Sequence, residues 1–297
     1  MDDVVLPALL EDAERIAAIA LAEDGPVDVT SELMLAGGVR GEAVLEARSD
    51  GVLAGTAYAD AVVRGCGLSG VEWRHADGDA FDARQPVGVF TGSLRAILRA
   101  ERPLLNLLQR ACGIATATRG YVAELRGTGC RVLHTRKTLP GLRAFDVRAV
   151  LAGGGALHRI DLSREVLVKD NHWSVLEALG GSMRNANAAA GARGIRSFQV
   201  EVASEAQLEA ACEAAATRIL IDNQSPETVK DWAARARLLA PGIEVEASGG
   251  IVLGNVRAYA EAGADFVSIG ALTHSVHALE IALEVAAVEA VSGAIVP

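Results

Sequence analysis

Four short strand-like runs decide the fold of this chain: Phe198-Gln-Val-Glu-Val202, Arg218-Ile-Leu-Ile221, Ile243-Glu-Val-Glu246 and Phe266-Val-Ser-Ile269. Their starting points lie about 20 to 25 residues apart, which is the spacing of repeated βα units with a parallel sheet. A helix-forming segment fits between neighbouring runs, as over 226–239. We therefore expect a parallel sheet in which each strand is followed by a helix.

Two earlier runs extend this series toward the N-terminus, Arg131-Val-Leu-His134 and Val166-Leu-Val168. Six such units predict an α/β barrel that is complete or nearly so. The alternative is a doubly wound sheet, which is less favoured because no Gly-x-Gly-x-x-Gly motif follows the first strand.

The N-terminal third has a different pattern. Strand-like runs separated by Gly and Asp turns predict a mixed α and β region, and they occupy 41–47, 71–75 and 87–90. A long helical stretch follows over 93–125, with Pro103 inside it. Proline disfavours the helical conformation of the residue before it and suits the first turn of a helix. We therefore expect Arg102 at a helix start.

The composition argues against several classes of protein. The chain has 28 Lys and Arg against 38 Asp and Glu, a formal net charge of −10, whereas a general nucleic-acid binder should be basic. It contains no run of about 18 uncharged apolar residues, which argues against a membrane span. The start Met-Asp-Asp lacks the basic residues of a secretory signal, and the four cysteines lack metal-ligand spacing. We expect a cytoplasmic protein that binds neither nucleic acid nor membrane.

Polar or glycine-rich residues lie at the end of every strand in the series. In order, these ends are His134-Thr135-Arg136-Lys137, Lys169, Glu201, Asp222, Ser248-Gly249-Gly250 and Gly270-Ala271-Leu272. The C-terminal strand ends of an α/β barrel form one face, and that face carries the active site. The sequence therefore predicts an enzyme.

The segment 131–172 is basic within an acidic chain, with eight basic and four acidic residues. Guanidinium forks and compact ammonium groups suit carboxylates and phosphates. The strand-end candidates for such contacts are Arg136, Lys137, His158, Arg159 and Lys169. For the other arginines the alternative is pairing with surface acids. These are Arg131, Arg143, Arg148 and Arg164.

The last two βα loops are candidates for a phosphate site. Loops after the last two barrel strands often bind phosphate, because glycine lets backbone N–H groups approach an anion. The residues concerned are Ser248, Gly249, Gly250, Gly270, Ala271 and Leu272. The alternative is that glycine serves only the conformation of a tight turn.

Glu201 and Asp222 are two carboxylates on an otherwise cationic face. They are candidates for holding Mg²⁺ beside phosphates, for binding ribose hydroxyls or for stabilising a developing cation. The alternative is that they only offset neighbouring positive charges. Hydrolase and zinc chemistry lack support, because the sequence has no Ser-His-Asp elbow, His-Glu-x-x-His motif or cysteine pair.

A set of short motifs runs in order from about residue 20 to residue 280. It comprises Glu23-Asp24, Asp28-Val-Thr30, Glu101-Arg-Pro103, Thr135-Arg-Lys-Thr138, Gly153-Gly-Gly155, His158-Arg159, Lys169-Asp-Asn-His172, Glu246-Ala-Ser-Gly-Gly-Ile251 and Ser268-Ile-Gly-Ala-Leu-Thr-His-Ser275. In this combination the chain resembles the quinolinate phosphoribosyltransferases, or carboxylating nicotinate-nucleotide pyrophosphorylases.

The resemblance implies an α/β protein in three parts. An N-terminal α/β sandwich domain is expected over 1–112, and an incomplete, seven-stranded-type α/β barrel over 113–273. A C-terminal helical segment over 274–297 is expected to return to the N-terminal domain. The resemblance also implies a homodimer or higher even oligomer in which Arg102 enters the neighbouring subunit's site.

The implied reaction is that of a pentosyltransferase in NAD biosynthesis. Quinolinate and phosphoribosyl pyrophosphate give nicotinate mononucleotide, pyrophosphate and CO₂, with substrate-associated Mg²⁺. The implied substrate-binding residues are Arg102, Thr135, Arg136, Lys137, His158, Arg159, Lys169 and the two glycine loops. Lys137, Lys169, Glu201 and Asp222 are the implied catalytic residues, and the two acids hold Mg²⁺ directly or through pyrophosphate.

Three departures from the family pattern bear on substrate choice. Asp161 stands where glycine is usual, Trp173 stands where an aliphatic residue is usual, and the segment 23–28 is shorter. The alternatives are therefore a paralogue acting on another pyridine or aromatic acid, or a non-catalytic metabolite sensor. An aldolase that forms a Schiff base with Lys137 or Lys169 is the alternative from another enzyme class.

Overall fold

The computed structural model describes residues 2–289, with side chains from residue 11 onward. Its helices are α1 (Asp2–Glu23), α2 (Val29–Met34), α3 (Thr56–Gly65), α4 (Leu94–Glu124), α5 (Arg143–Ala152), α6 (Asp170–Ala178), α7 (Met183–Ala192), α8 (Glu205–Glu213), α9 (Pro226–Leu239), α10 (Val256–Glu261) and α11 (Ala271–His274). Its strands are β1 (Arg40–Ala47), β2 (Gly51–Val52), β3 (Glu72–Trp73), β4 (Ala80–Phe81), β5 (Pro86–Ser93), β6 (Arg131–Leu133), β7 (Val166–Val168), β8 (Phe198–Val202), β9 (Arg218–Asp222), β10 (Glu244–Ser248), β11 (Phe266–Ser268) and β12 (Ile281–Glu289).

The chain forms two compact units. The first comprises the residues up to Arg119, the segment Thr138–Gly154 and the residues from Leu272 onward. The second comprises Gly120–Lys137 and Gly155–Ala271. The domain boundaries expected from the family resemblance (1–112, 113–273 and 274–297) stay predictions.

The first unit is built on an antiparallel sheet with the strand order β12-β1-β5-β3, beside a two-stranded pair of β2 and β4. The inward residues of β1 are fully buried alanine and leucine side chains. Helices α1 and α3 pack against each other, and α1 also contacts α5. The expected mixed α and β N-terminal region is confirmed.

The second unit is built on a six-stranded parallel sheet with the order β6-β11-β10-β9-β8-β7. An isolated parallel bridge joins Leu133 to Ala156 beside β6. Among the described residues β6 and β7 form the two edges of this sheet, so the barrel is incomplete. The predicted α/β fold class, with an antiparallel part and a parallel βα part, is confirmed.

The C-terminal segment departs from the prediction. Residues 281–289 form strand β12 and not a helix, and β12 pairs antiparallel with β1 from Ile281 to Glu289. Composition favours a helix here, since the run is rich in Ala, Leu and Glu. The open edge of β1 offers unpaired backbone N–H and C=O groups, and pairing with them outweighs that weak local preference. Residues 290–297 of the expected helix lie outside the described part of the chain.

The expected helix start at Arg102 is also wrong. Helix α4 continues through Pro103, so Arg102 lies in its interior. An interior proline removes one backbone donor and costs about 3 kcal/mol. The helix persists because it buries apolar side chains on both sides of the proline, including Ile97, Leu104 and Leu108.

The structure gives no helix, between residues 2 and 289, that combines the length and apolarity of a membrane span.

Candidate active site

One face of the parallel sheet carries charged and hydroxyl side chains. Side chains alternate along a strand, so the register between strands decides which residues share a face. Glu201 and Glu246 both lie beside Leu220, and Asp222 lies beside Ser248. The carboxylates of three different strands are thereby brought onto one face.

The opposite face is aliphatic. Its side chains are fully buried, and they include Val200, Ile219, Val245 and Val267. Helices α8 and α10 pack against β8 and β11. Since helices cover aliphatic residues most readily, the polar face is the one left for chemistry.

Lys169 and Glu201 form an ion pair between the ends of β7 and β8. Lys169 lies between β7 and α6, and its Nζ contacts Oε2 of Glu201. The Glu201 side chain is 11% exposed and that of Lys169 is 43% exposed. The pair therefore presents an ammonium group to solvent and keeps its counter-charge largely buried.

Local hydrogen bonds fix the segment after β7. The backbone N–H of Lys169 donates to Nδ1 of His172 at 2.9 Å. The indole Nε1 of buried Trp173 donates to the carbonyl oxygen of Glu201 at 2.8 Å. The tryptophan at position 173 thus ties α6 to the end of β8.

His158 and Arg159 lie in the loop before β7, and both side chains are buried or nearly so. Nδ1 of His158 accepts the backbone N–H of Arg159 at 2.7 Å. Nε2 of His158 lies 3.4 Å from Oε2 of Glu246, a fully buried carboxylate on β10. The same oxygen of Glu246 lies 3.2 Å from Nη1 of Arg218 on β9.

Two pKa shifts follow from this crowding. Burial opposes ionisation of Glu246, but His158, Arg218 and the hydroxyl of Ser268 outweigh it and hold the pKa of this carboxyl below its usual range. Burial lowers the pKa of Arg159, and the nearby charge of Arg136 lowers it further. The face therefore holds ionised carboxylates and crowded guanidinium groups together.

The loop after β6 holds three more of the predicted residues. Thr135 Oγ1 accepts the backbone N–H of Lys137 at 3.1 Å, and the Lys137 side chain is exposed. Arg136 is half-buried.

Asp161, one of the departures from the family pattern, lies in the loop before β7. It accepts hydrogen bonds from the backbone N–H and the hydroxyl of Ser163 at 2.8 and 2.7 Å. These bonds lower the pKa of Asp161, and Arg136 makes a smaller contribution in the same direction.

The turn after β10 depends on backbone conformation. Gly249 and Gly250 have φ of 85° and 64°, a region that favours glycine. The backbone N–H of Asn223, itself at φ 54°, donates to the carbonyl oxygen of Ser248 at 2.8 Å. Ser248 is the last residue of β10 and lies on the polar face beside Asp222. The loop after β10 therefore begins at the same end of the sheet as Asp222.

Four more predicted residues divide between the two units. Gly270 and Ala271 follow β11 in the second unit, while Leu272, buried in α11, belongs to the first unit. Arg102 also belongs to the first unit, on α4. Its side chain is 60% exposed, and its Nη2 lies 3.8 Å from Oε1 of Glu101. The role of Arg102 in a neighbouring subunit stays a prediction.

The two strand-end acids suit magnesium. Glu201 and Asp222 supply carboxylate oxygens, the hard ligands that Mg²⁺ prefers. One oxygen of each is already engaged, by Lys169 and, at 2.6 Å, by Nδ2 of Asn223. In the described part of the chain no three acidic, histidine or cysteine side chains gather into a metal-binding group. Such a donor set fits an ion held mainly by substrate phosphates with few protein ligands.

Two family models match nearly the whole chain. "Quinolinate phosphoribosyl transferase, N-terminal domain" matches residues 28–112, and "Quinolinate phosphoribosyl transferase, C-terminal domain" matches residues 114–284. The chain belongs to the quinolinate phosphoribosyltransferase family. The resemblance read from the motifs is therefore confirmed.

Relatives in this family match over most of their length. A protein of Mycobacterium leprae named "Nicotinate-nucleotide pyrophosphorylase [carboxylating]" is 37% identical over 261 residues, which cover 87% of this chain and 91% of the relative. A human protein of the same name is 35% identical over 288 residues and 95% of both chains. The solved nicotinate-nucleotide pyrophosphorylase of Francisella tularensis superposes with a TM-score of 0.85 at 30% identity, covering 94% of this chain and 97% of that one.

Sequence reasoning missed Glu246 and Arg218 as part of the polar face. A signal was present, because charged residues alternate with aliphatic ones in Glu244-Val-Glu246, within a strand otherwise expected to be buried. Alternation of that kind marks one polar face of a strand. Their partners, however, lie on other strands, and only the register reveals them.

Proposed function

We propose that this protein transfers a phosphoribosyl group from phosphoribosyl pyrophosphate to quinolinate with loss of CO₂. The products are nicotinate mononucleotide, pyrophosphate and CO₂, and the reaction is a step of NAD biosynthesis. The observation that carries the proposal is the ion pair of Lys169 with Glu201 at the polar face of the sheet, with the buried guanidinium of Arg159 close enough for the Glu201 charge to act on its pKa. It occurs in a member of the quinolinate phosphoribosyltransferase family.

The basic residues suit the acceptor. Quinolinate carries two adjacent carboxylates, which need cations and hydrogen-bond donors in fixed positions. Arg159 and Lys169 are proposed for this role, with Thr135, Arg136, Lys137 and His158. The ring nitrogen of quinolinate is itself the nucleophile, so the attack needs no side-chain base.

The carboxylates suit the donor. As pyrophosphate leaves, positive charge develops on the ribose carbon, and fixed negative groups stabilise such a transition state. We assign this role to Glu201 and Asp222, which also hold ribose hydroxyls or orient Mg²⁺. When bound with the pyrophosphate, Mg²⁺ neutralises the charge of the leaving group.

The loops after β10 and β11 are proposed to hold the 5′-phosphate. Their backbone N–H groups, at Ser248, Gly249 and Gly250 and at Gly270, Ala271 and Leu272, suit an anion. Loss of CO₂ then uses the new pyridinium nitrogen as the electron sink, and the ring carbon that loses its carboxylate takes up a proton from solvent. Lys137 and Lys169 are proposed to stabilise charge at the carbon that loses its carboxylate, without binding that carboxylate so tightly that it is retained.

We propose a homodimer, or a higher even oligomer, in which Arg102 enters the site of the neighbouring subunit. The exposed guanidinium of Arg102 supports this proposal, since its ion pair with Glu101 is a long one of 3.8 Å. We also propose a cytoplasmic location, with which the four unpaired thiols of the chain agree.

The decisive experiment measures pyrophosphate and CO₂ release with phosphoribosyl pyrophosphate and quinolinate, and identifies nicotinate mononucleotide as product. The same assay is repeated with nicotinate, which lacks the second carboxylate. We expect turnover with quinolinate and none with nicotinate. Turnover of nicotinate but not quinolinate would favour the paralogue, and tight binding without any turnover would favour a sensor.

A matched pair of lysine variants sharpens this test. Lys169→Ala removes the ion pair with Glu201 and should lower kcat/KM at least 100-fold. Lys230→Ala changes an exposed lysine on α9 and should leave activity within twofold. Borohydride trapping of a substrate adduct on Lys169 or Lys137 would instead support the aldolase alternative.

A further inference from the structure

The buried carboxylate of Glu246 is the feature that the reaction just described leaves without a role. Its side chain is 0% exposed, in the middle of β10. A buried carboxylate is costly unless cations or donors compensate it. Its partners are Arg218 at 3.2 Å and His158 at 3.4 Å, and the nearby hydroxyl of Ser268 also favours the ionised form.

The partner His158 is held from two sides. Its Nδ1 accepts the N–H of Arg159 at 2.7 Å, so a neutral ring carries its proton on Nε2. That nitrogen is the one that faces Glu246. The carbonyl oxygen of His158 lies 3.1 Å from Nε2 of His134, which fixes the backbone at the same residue. The Arg159 N–H therefore sets the tautomer of the neutral ring, and Glu246 faces the protonated nitrogen and orients the ring.

Arg159 depends on the same arrangement. Its backbone N–H donates to Nδ1 of His158, and its guanidinium is buried close to the like charge of Arg136. Three carboxylates stabilise the charged form of Arg159 against burial and the charge of Arg136, and Glu246 is the one that is fully buried. The other two are Glu165 and Glu201.

We infer that Glu246 is a positioning residue of the acceptor subsite: through His158 and the Arg159 backbone it sets where the Arg159 guanidinium meets the substrate carboxylates. This inference rests on the proposed function, because it takes Arg159 as a ligand of the pyridine dicarboxylate. Glu246 acts without touching substrate, and its loss should weaken acceptor binding selectively.

Glu244 provides a matched control. It lies two residues earlier on the same strand and binds the same arginine, with Oε2 at 2.7 Å from Nη2 of Arg218. Its side chain is 47% exposed, and its Oε2 accepts hydrogen bonds from Nε and Nη2 of Arg218. Glu244→Gln therefore removes a charge beside Arg218 and leaves the His158 contact in place.

The experiment compares steady-state kinetics of Glu246→Gln and Glu244→Gln. For Glu246→Gln we expect the KM for quinolinate to rise at least tenfold, and the KM for phosphoribosyl pyrophosphate to stay within twofold. For Glu244→Gln we expect both constants within twofold of the unaltered protein. An unchanged quinolinate KM in Glu246→Gln, or an equal rise of both KM values, would overturn the inference.

A second measurement does not depend on activity. Nitrogen-15 NMR of histidine-labelled protein, assigned with His158→Gln, reports which ring nitrogen of His158 carries the proton. We expect the Nε2–H tautomer in all three proteins, because the backbone N–H of Arg159 occupies Nδ1. In Glu246→Gln the Nε2 resonance should shift, since the charged acceptor that faces this nitrogen is lost, and in Glu244→Gln it should not. An unchanged Nε2 resonance in Glu246→Gln would overturn the inference, even if quinolinate proves not to be the substrate.

A more conservative variant covers the case in which Glu246→Gln does not fold. Glu246→Asp keeps the charge for Arg218 and shortens the reach toward His158. We expect a smaller rise of the quinolinate KM in the same direction, with a partial change in the His158 signals. Unchanged KM and unchanged signals in Glu246→Asp would count against a positioning role.

Discussion

At the scale of single residues, the turn after β10 is the most constrained part of the candidate site. Gly249 has a φ of 85°, and a Cβ added there would lie 2.1 Å from Oδ1 of Asn223. Real Cβ atoms do not approach an oxygen so closely, so any side chain at 249 must displace Asn223. Asn223 in turn bonds the Asp222 carboxylate through Nδ2. A single glycine therefore couples the proposed phosphate loop to the proposed ribose and Mg²⁺ site.

We predict that Gly249→Ala raises the KM for phosphoribosyl pyrophosphate about tenfold or more, because both the strained φ and the clash distort this loop. The KM for quinolinate should change less. The control is Gly254→Ala, at a position with open space around the added Cβ and an ordinary φ. Equal effects of the two substitutions, or no effect of Gly249→Ala on this KM, would contradict the role of the loop.

At the scale of elements, a side chain of α4 holds the end of α5 within the first unit. Nε of Arg119 donates to the carbonyl oxygen of Gly153 at 3.0 Å, and its Nη2 donates to those of Ala152 and Gly78 at 3.3 and 3.0 Å. A Cβ on Gly153 would lie 2.5 Å from the carbonyl oxygen of Ala115. The glycine at 153 thus permits close packing of α5 on α4, and the arginine satisfies the carbonyls exposed there.

We predict that Arg119→Ala lowers the free energy of unfolding by about 2 to 3 kcal/mol, because charged hydrogen bonds to three carbonyls are lost together. Urea denaturation followed by circular dichroism measures this change. The control is Arg64→Ala, which breaks an exposed pair with Glu14 and should cost less than about 1 kcal/mol. A cost for Arg119→Ala no larger than that of the control would show that this contact does not hold α5.

At the scale of the whole molecule, charge is unevenly distributed. The chain as a whole carries −10, but the segment 131–172 carries eight basic and four acidic residues. Two of the three lysines of the chain, Lys137 and Lys169, fall in that segment. A polyanionic substrate pair thus meets a local cationic site on an otherwise acidic protein, and the net charge by itself hides that site.

The shared site across an oligomer gives a prediction at this scale. Arg102→Ala and Lys137→Ala should each abolish most activity alone. If Arg102 serves the neighbouring subunit, mixed dimers of the two variants regain one intact site, and an equal mixture should recover about a quarter of full activity by random pairing. The measurement is the quinolinate assay after dissociation and reassociation of differently tagged variants.

The matched control mixes Lys137→Ala with Lys169→Ala. Both lysines are proposed to serve the site of their own chain, so hybrids of these variants contain no intact site and should remain inactive. Absence of rescue in the Arg102 mixture, with hybrid dimers isolated through both tags, would contradict a shared site. Rescue in both mixtures would contradict it as well.

The sequence by itself determined the strands of the parallel sheet, the class of fold and the strand ends that carry the site. The runs at 166–168 and 198–202 became β7 and β8 with the expected bounds, and the last two strands differ by one or two residues. Local β-branched patterns and helical spacing suffice for this, because side-chain alternation and turn residues are properties of short segments. The polar ends, including Lys169, Glu201 and Asp222, followed from the same patterns.

Only the tertiary structure decided what depends on partners far apart in the chain. Residues 281–289 became a strand because the edge of β1 is there to pair with, and α4 continues through Pro103 because leucine burial outweighs one lost hydrogen bond. Glu246 meets His158 only through the fold that brings the loop before β7 close to β10. The physical reason is common to all three cases: pairing and burial are long-range interactions, and each can outweigh local preferences of about 1 to 3 kcal/mol.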